Sequence, residues 1–268
     1  MTPELLIAII AGLFGLVIGS FLNVCIVRLP KNESVVSPRS KCPRCGKGIA
    51  WYDNIPVVSW ILLRGKCRGC GLPISPLYPL VELATGAIWF LMAWHNGPTL
   101  EMVRGGFFFT ILLGIAVTDA REYIIPDELS VGGLVLGLVI ALVRGWAALK
   151  VALIGAAVGF FLLWGFAAAG TWLGKRMGMV GGEGQPEEAM GGGDIKMMAM
   201  IGAFLGWPGV LMTVFLGAAA GSVVYVPLNL MGNKKLVPFG VFLAMGAAIT
   251  YLAGHVLVDF YLRFIGAA

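Results

Sequence analysis

Charge is what this sequence has least of. Only 12% of its 268 residues are Asp, Glu, Lys or Arg, about half the share found in soluble domains, so a water-soluble globular fold is excluded. Histidine is nearly missing: His95 and His255 lie on separate apolar runs without ligand spacing, and neither is assigned chemistry. The first apolar run lacks a basic stretch before it and a small-residue cleavage pattern after it. It is therefore expected to remain as a helix rather than be removed. No G-x-G-x-x-G turn joins a strand to a helix, and "GMVGGEG" at 178–184 reads as a loop rather than a cofactor cradle.

Apolar residues are abundant, at 59% of the chain. A helix needs about 20 of them to cross roughly 30 Å of hydrocarbon, and runs of suitable length recur from end to end. The pattern predicts an all-α polytopic membrane protein of about eight transmembrane helices, near residues 4–27, 77–95, 103–119, 128–143, 150–173, 195–207, 208–228 and 239–262. The break between the sixth and seventh is placed before Pro208.

The net charge of +5 and pI of about 9.0 are mostly topology. Nine of the nineteen basic residues lie between Arg28 and Leu77, against Glu33 and Asp53 alone, so this segment carries +7 and the rest of the chain −2. Positive loops stay in the cytoplasm, and eight alternating spans then place 119–127, 174–194 and 229–238 on the same side, with both termini outward. Nucleic acid is not an expected partner; the lipid bilayer is.

That basic segment holds Cys42, Cys45, Cys67 and Cys70, two C-x2-C pairs separated by 21 residues. Such pairs present thiolates from tight turns, the pattern of a tetrahedral zinc site. The long gap implies an excursion, "AWYDNIPVVSWILLRG", within a small zinc-ribbon-like loop domain. Two disulfides are the competing reading, disfavoured if the loop is cytoplasmic and reduced. With no His, Asp or Glu beside the pairs, the metal is expected to be structural. Cys25, within the first span, reads as a small core residue.

Five acids sit in or at the edges of spans: Glu82, Asp119, Asp127, Asp194 and Asp259. A charge at bilayer depth costs several kcal/mol or more, so each needs a cavity, a partner or a proton. Alternation of the spans brings Asp119, at the end of the third, and Asp194, at the start of the sixth, to one depth on one side. Two carboxylates within about 3–5 Å of each other share a proton. Such a pair can hydrolyse a peptide bond, one member taking a proton from water while the other hydrogen-bonds the carbonyl. Gly191, Gly192 and Gly193 would let an extended substrate strand approach beside Asp194, and Lys196 joins them as a candidate substrate contact. Helix capping remains open for Asp194 and is preferred for Asp127. Asp119 closes a helix C-terminus, where the dipole disfavours a negative charge. Glu82 and Asp259 are left with either an ion pair near an interface or a hydrogen bond to a neighbouring helix.

With "GSFLNVCIVRLP" (19–30), the two cysteine pairs, "NIPVVSW" (54–60), "YPLVE" (78–82), "DAREYIIPD" (119–127), "GGGDIK" (191–196) and "PFG" (238–240) in this order, the chain resembles the type IV prepilin peptidases. These are polytopic aspartic proteases of the GxGD group. The resemblance implies that Asp119, opening D-x6-P-D, and Asp194, in GxGD, are the catalytic pair, a choice over Asp127 that spacing alone does not make. It implies removal of the basic leader of type IV prepilins or pseudopilins, after a glycine preceding an apolar helix, at the cytoplasmic face of a bacterial inner membrane. By resemblance, too, the new amino group is methylated with S-adenosylmethionine, an activity that accompanies the long cysteine loop. The organisation expected is a first transmembrane helix at 1–27, a four-cysteine region at 28–77 serving methyl transfer, and a peptidase domain at 78–268. Val241 departs from the pattern, since many relatives carry a second proline after "PFG". A rival from another class is a proton- or cation-coupled transporter using the aspartates, although helix lengths in the two halves do not repeat. A membrane scaffold carrying a zinc module, with the aspartates as caps, is a third reading.

Glu183, Glu187 and Glu188 are the acidic cluster on the face expected to be cytoplasmic, a match for a basic leader. Replacing all three by Lys should raise KM for such a substrate while turnover persists; steady-state kinetics with an unchanged KM would remove the idea.

Overall fold

The computed structural model describes residues 2–178, 190–230 and 238–264. Glu183, Glu187, Glu188 and most of the 178–184 loop lie outside them. Eight helices follow in order: α1 (Pro3–Arg28), α2 (Val58–Leu62), α3 (Leu77–Asn96), α4 (Leu100–Glu122), α5 (Asp127–Val143), α6 (Trp146–Arg176), α7 (Gly192–Leu230) and α8 (Phe239–Phe264). Among the described residues six are long and apolar enough to cross a membrane. The 17-residue α5 is shorter than the roughly 20 residues a perpendicular crossing takes. The large exposed side chains along the helices are apolar, such as Leu6, Ile10, Leu13 and Val17 on α1 and Phe161 and Trp164 on α6. This is the surface a bilayer covers rather than one that faces water.

The predicted spans match these helices within a few residues, with one difference at the sixth and seventh. They form the single element α7, interrupted at Gly206, whose φ of 71° and ψ of 177° leave the helical region. Only glycine enters that conformation without strain, and Pro208 then restarts a helix at its first turn. The arm before Gly206 packs on α6, with Gly202 against Gly155 and Met198 against Gly159. The arm after it packs on α8, Thr213 against Thr250 and Gly217 against Leu243. Because α8 starts beside Asp119 and pairs antiparallel with the second arm, that arm runs back toward the level at which the first began. Two antiparallel arms therefore take the place of one straight helix, and the turn falls at Gly206 rather than at residue 207.

The chain packs as two compact units, Met1–Thr118 and Asp119–Ala268. In the first, α1 lies along α3 through small residues. A Cβ on Gly15 would fall 2.8 Å from the Thr85 carbonyl, and one on Gly19 would fall 2.7 Å from the Glu82 Cα. Such contacts replace the hydrophobic drive that is missing between helices in lipid. Buried Trp89 donates its indole N–H to Thr110 of α4 at 3.1 Å. In the second unit the first arm of α7 is the core, with Met197, Met198, Met200 and Ile201 fully enclosed.

The α6–α7 crossing is the tightest test of this packing. Gly155→Val would force a side chain onto the Gly202 backbone, and overpacking of this kind costs about 1–3 kcal/mol. The thermal midpoint in detergent should fall for Gly155→Val and hold for Gly165→Ala, a position with open space around it.

Candidate active site and cysteine centre

Asp119 occupies the last turn of α4, 6% exposed. After Glu122 the helix ends through Tyr123, whose positive φ of 56° turns the chain. Ile124 and Ile125 lead to Pro126, which caps α5 in extended conformation. Asp194 lies in the first turn of α7. Ile125 packs against both Gly193, which precedes Asp194, and Gly240, which lies against Asp119 Oδ2, so topology brings the two aspartates to one junction of helix ends. Asp194 Oδ1 is buried and has no hydrogen-bond partner.

Asp119 is better supplied. Its Oδ2 accepts the N–H of Val241 at 3.2 Å and faces the N–H of Gly240. These are among the unpaired donors at the start of α8. One side chain thereby caps a helix more than a hundred residues away and meets the positive end of its dipole. The approach depends on glycine, since a Cβ on Gly240 would stand 2.7 Å from Asp119 Oδ2 and 2.9 Å from Ile125 Cδ1. A Cβ on Gly193 would likewise meet Ile125 Cβ at 2.9 Å. Ile125 is thus a wedge between the starts of α7 and α8.

Of the three predicted glycine contacts, Gly193 packs on Ile125, a Cβ on Gly191 would meet only Asp194 Oδ2, at 3.9 Å, and Gly192 faces open space. Lys196 reaches Asp127, its Nζ donating to both carboxylate oxygens at 2.8 and 2.7 Å. That exposed pair ties the start of α5 to the start of α7. It has more to do with orientation than stability, since exposed ion pairs contribute little. The roles of Val241, Gly240 and Ile125 escaped sequence reasoning. Their only signal was the "PFG" and "DAREYIIPD" strings, which name residues but not the contact between them.

The four cysteines of the first unit form a separate centre. Their Sγ atoms lie within 4.8 Å of one another, and Cys42 and Cys70 are 3.9 Å apart. Tetrahedral ligation at about 2.3 Å per Zn–S bond needs sulfurs about 3.8 Å apart, so the set fits such an ion closely. All four thiols are free rather than joined as disulfides. The two knuckles repeat each other. Gly46 N–H reaches Cys42 O and Gly71 N–H reaches Cys67 O, both at 2.9 Å, with both glycines at a φ of 70°. Each closes with a single bridge, Lys41 to Gly48 and Lys66 to Pro73, in place of a ribbon ladder. The N–H groups of Cys45 and Arg44 beside Cys42 pull its thiol down to about 6, toward the thiolate that metals bind. The excursion folds back on the second knuckle through a forked Arg68–Asp53 pair, with contacts of 2.7–3.0 Å. The Arg68 guanidinium holds Asp53 below the usual carboxylate range.

Residues 13–96 match the Bacterial Peptidase A24 N-terminal domain, and residues 106–226 the Type IV leader peptidase family. The chain belongs to the type IV leader peptidase family. A Prepilin leader peptidase/N-methyltransferase of Pseudomonas aeruginosa is 36% identical, the alignment covering 95% of this chain and 93% of that protein. One of Aeromonas hydrophila is 35% identical over 93% and 92%. A third, of Myxococcus xanthus, is 42% identical over 85% of this chain but only 65% of its own length. No solved structure matches the chain.

Proposed function

We propose that this protein cleaves the leader peptide from prepilin-like substrates through Asp119 and Asp194, and methylates the amino group so exposed. The peptidase reading is supported by the convergence of both aspartates on Ile125 within one unit, one furnished with donors and the other with a free, buried oxygen. Asp119, held by the start of α8, takes a proton from the attacking water. Asp194 holds the proton shared by the pair and gives its hydrogen bond to the scissile carbonyl from the otherwise unpartnered side. Water adds to the carbonyl carbon, the C–N bond breaks, and the proton held at Asp119 passes to the leaving amine. No covalent intermediate forms. Gly192, with nothing packed on it, and Gly191, in ordinary contact with Asp194 Oδ2 alone, leave room for extended substrate backbone. Lys196 acts on substrate only indirectly, by fixing the first turn of α7 through Asp127.

The substrate's apolar segment lies in the bilayer, and its basic leader, with the cysteine centre, faces the cytoplasm of a bacterial inner membrane. Charge supports this orientation, because the segment from Arg28 to Leu77 is strongly positive while the rest of the chain is slightly negative. Cys42, Cys45, Cys67 and Cys70 hold a structural zinc, and residues 28–77, with the helices they rest on, serve methyl transfer. S-adenosylmethionine supplies the methyl group as a sulfonium donor. The names of the relatives support both activities.

Purified protein in detergent, incubated with a prepilin and S-adenosylmethionine, should yield product lighter by the leader and heavier by one methyl group. Asp119→Asn and Asp194→Asn should each lower cleavage by at least about 10²–10⁴-fold, the range of a general acid or base. Gly240→Ala, which displaces Asp119, should lower kcat more than KM. Processing that survives loss of either aspartate would overturn the dyad. Elemental analysis should find one zinc per chain, absent after Cys42→Ser with Cys67→Ser; zinc-free protein that still methylates at the full rate would overturn the assignment of residues 28–77.

A further inference from the structure

Glu82 is the buried acid that the peptidase dyad does not use. It stands in the second turn of α3, 9% exposed, and among the described residues no Lys, Arg or His pairs with it. Its neighbours are the Ser20 hydroxyl of α1 and the backbone N–H of Val57, which donates to Oε2 at 2.7 Å. A carboxylate inside a membrane helix without a cation is costly and marks a functional path by default.

The surroundings are arranged around it at some expense. Val57 has φ 62° and ψ −50°, and Val58 N–H reaches Pro56 O at 2.6 Å. That is the rare, strained γ-turn, adopted here by a β-branched residue for which positive φ is a true outlier. Backbone strain of this kind collects where function demands it. On the helix side, Gly19 lets α1 come down onto the Glu82 backbone, and one turn away buried Asn23 donates to the Tyr78 carbonyl at 2.9 Å. The strings "GSFLN", "NIPVVSW" and "YPLVE" thus meet at one carboxylate. Ser59, which accepts from Ile55 N–H and donates to Tyr52 O, fixes the loop that carries Val57.

We infer that Glu82 binds the α-ammonium group of the cleaved substrate and is the base for its methylation. The inference rests on the reading of the cysteine region and its helices as the methyl-transfer part. A new α-ammonium is the cation a buried, unpaired carboxylate lacks, and an ammonium is no nucleophile until it loses a proton. Glu82 takes that proton. The freed nitrogen lone pair forms the new N–C bond with the methyl group of the sulfonium donor, whose S–C bond breaks with its electrons left on sulfur. The methylated ammonium then departs, and Glu82 releases its proton to water.

Binding separates this role from a purely structural one. Two synthetic peptides with the apolar sequence of a processed substrate, one with a free α-amino group and one N-acetylated, are titrated into the full-length protein in detergent without methyl donor. Wild type should favour the free amine by about tenfold or more. Glu82→Gln keeps an acceptor for the Val57 N–H, and with its zinc content and thermal midpoint unchanged it should lose that preference. A preference unaltered in Glu82→Gln, or absent in wild type, overturns the inference. Should the variant fold poorly, wild type alone decides: a hydrophobic carbodiimide should label Glu82, as read by peptide mass, and the free-amine peptide should protect it while the acetylated one does not. Equal protection, or none, overturns the inference. The parent reading fails on a different result, full methylation by zinc-free protein.

Discussion

The second unit is organised by the hydrogen bonds that Asp119 accepts from the first turn of α8. A carboxylate in a membrane helix needs neutralising contacts, and the start of a helix needs acceptors for N–H groups that have no partner within the helix. Each need meets the other here at 3.2 Å. Once α8 is fixed to the end of α4, the second arm of α7 follows, because it packs along α8. The glycine reversal at Gly206 then carries the first arm back up to deliver Asp194. The close fit of Gly193 and Gly240 around Ile125 sets how near the three helix ends approach.

The two units use backbone donors differently. At the first cysteine of each knuckle, Cys42 and Cys67, N–H groups converge on sulfur and favour thiolate, an arrangement suited to a metal. At Asp119 they converge on oxygen from a distant helix and leave the neighbouring Asp194 with an unsatisfied side. At Glu82 a single N–H is held in a strained turn. Small residues make all three arrangements accessible, since glycine allows positive φ at the knuckles and close backbone approach at the helix crossings.

Much of this was legible in the sequence because membrane constraints are severe. Apolar runs fixed the helices to within a few residues, parity of the spans brought Asp119 and Asp194 to one end, and spacing alone picked out the four-cysteine cluster. What could not be read were contacts between motifs distant in the chain. Lys196, read as a substrate contact, also has an ion-pair partner that spacing does not reveal, Asp127 at 2.8 Å. Asp127 reads as a simple cap, but Pro126 holds the cap position of α5 without a side-chain bond, and the carboxylate of Asp127, in the first turn, is used across to α7. Glu82 was undecided between an ion pair and a hydrogen bond to a neighbouring helix. It has the hydrogen bond to a neighbouring helix, at Ser20 of α1, and with it a loop amide in an improbable conformation, which no propensity or periodicity predicts. The turn at Gly206 was misplaced by a residue because proline is the louder signal.

Val241 supplies a hydrogen that a proline at the same position would not possess. A chain with the same two aspartates and a proline there would therefore give Asp119 a different electrostatic environment. Identity of side chains does not guarantee identity of their surroundings, and comparisons between such chains carry the imprint of that missing or present amide.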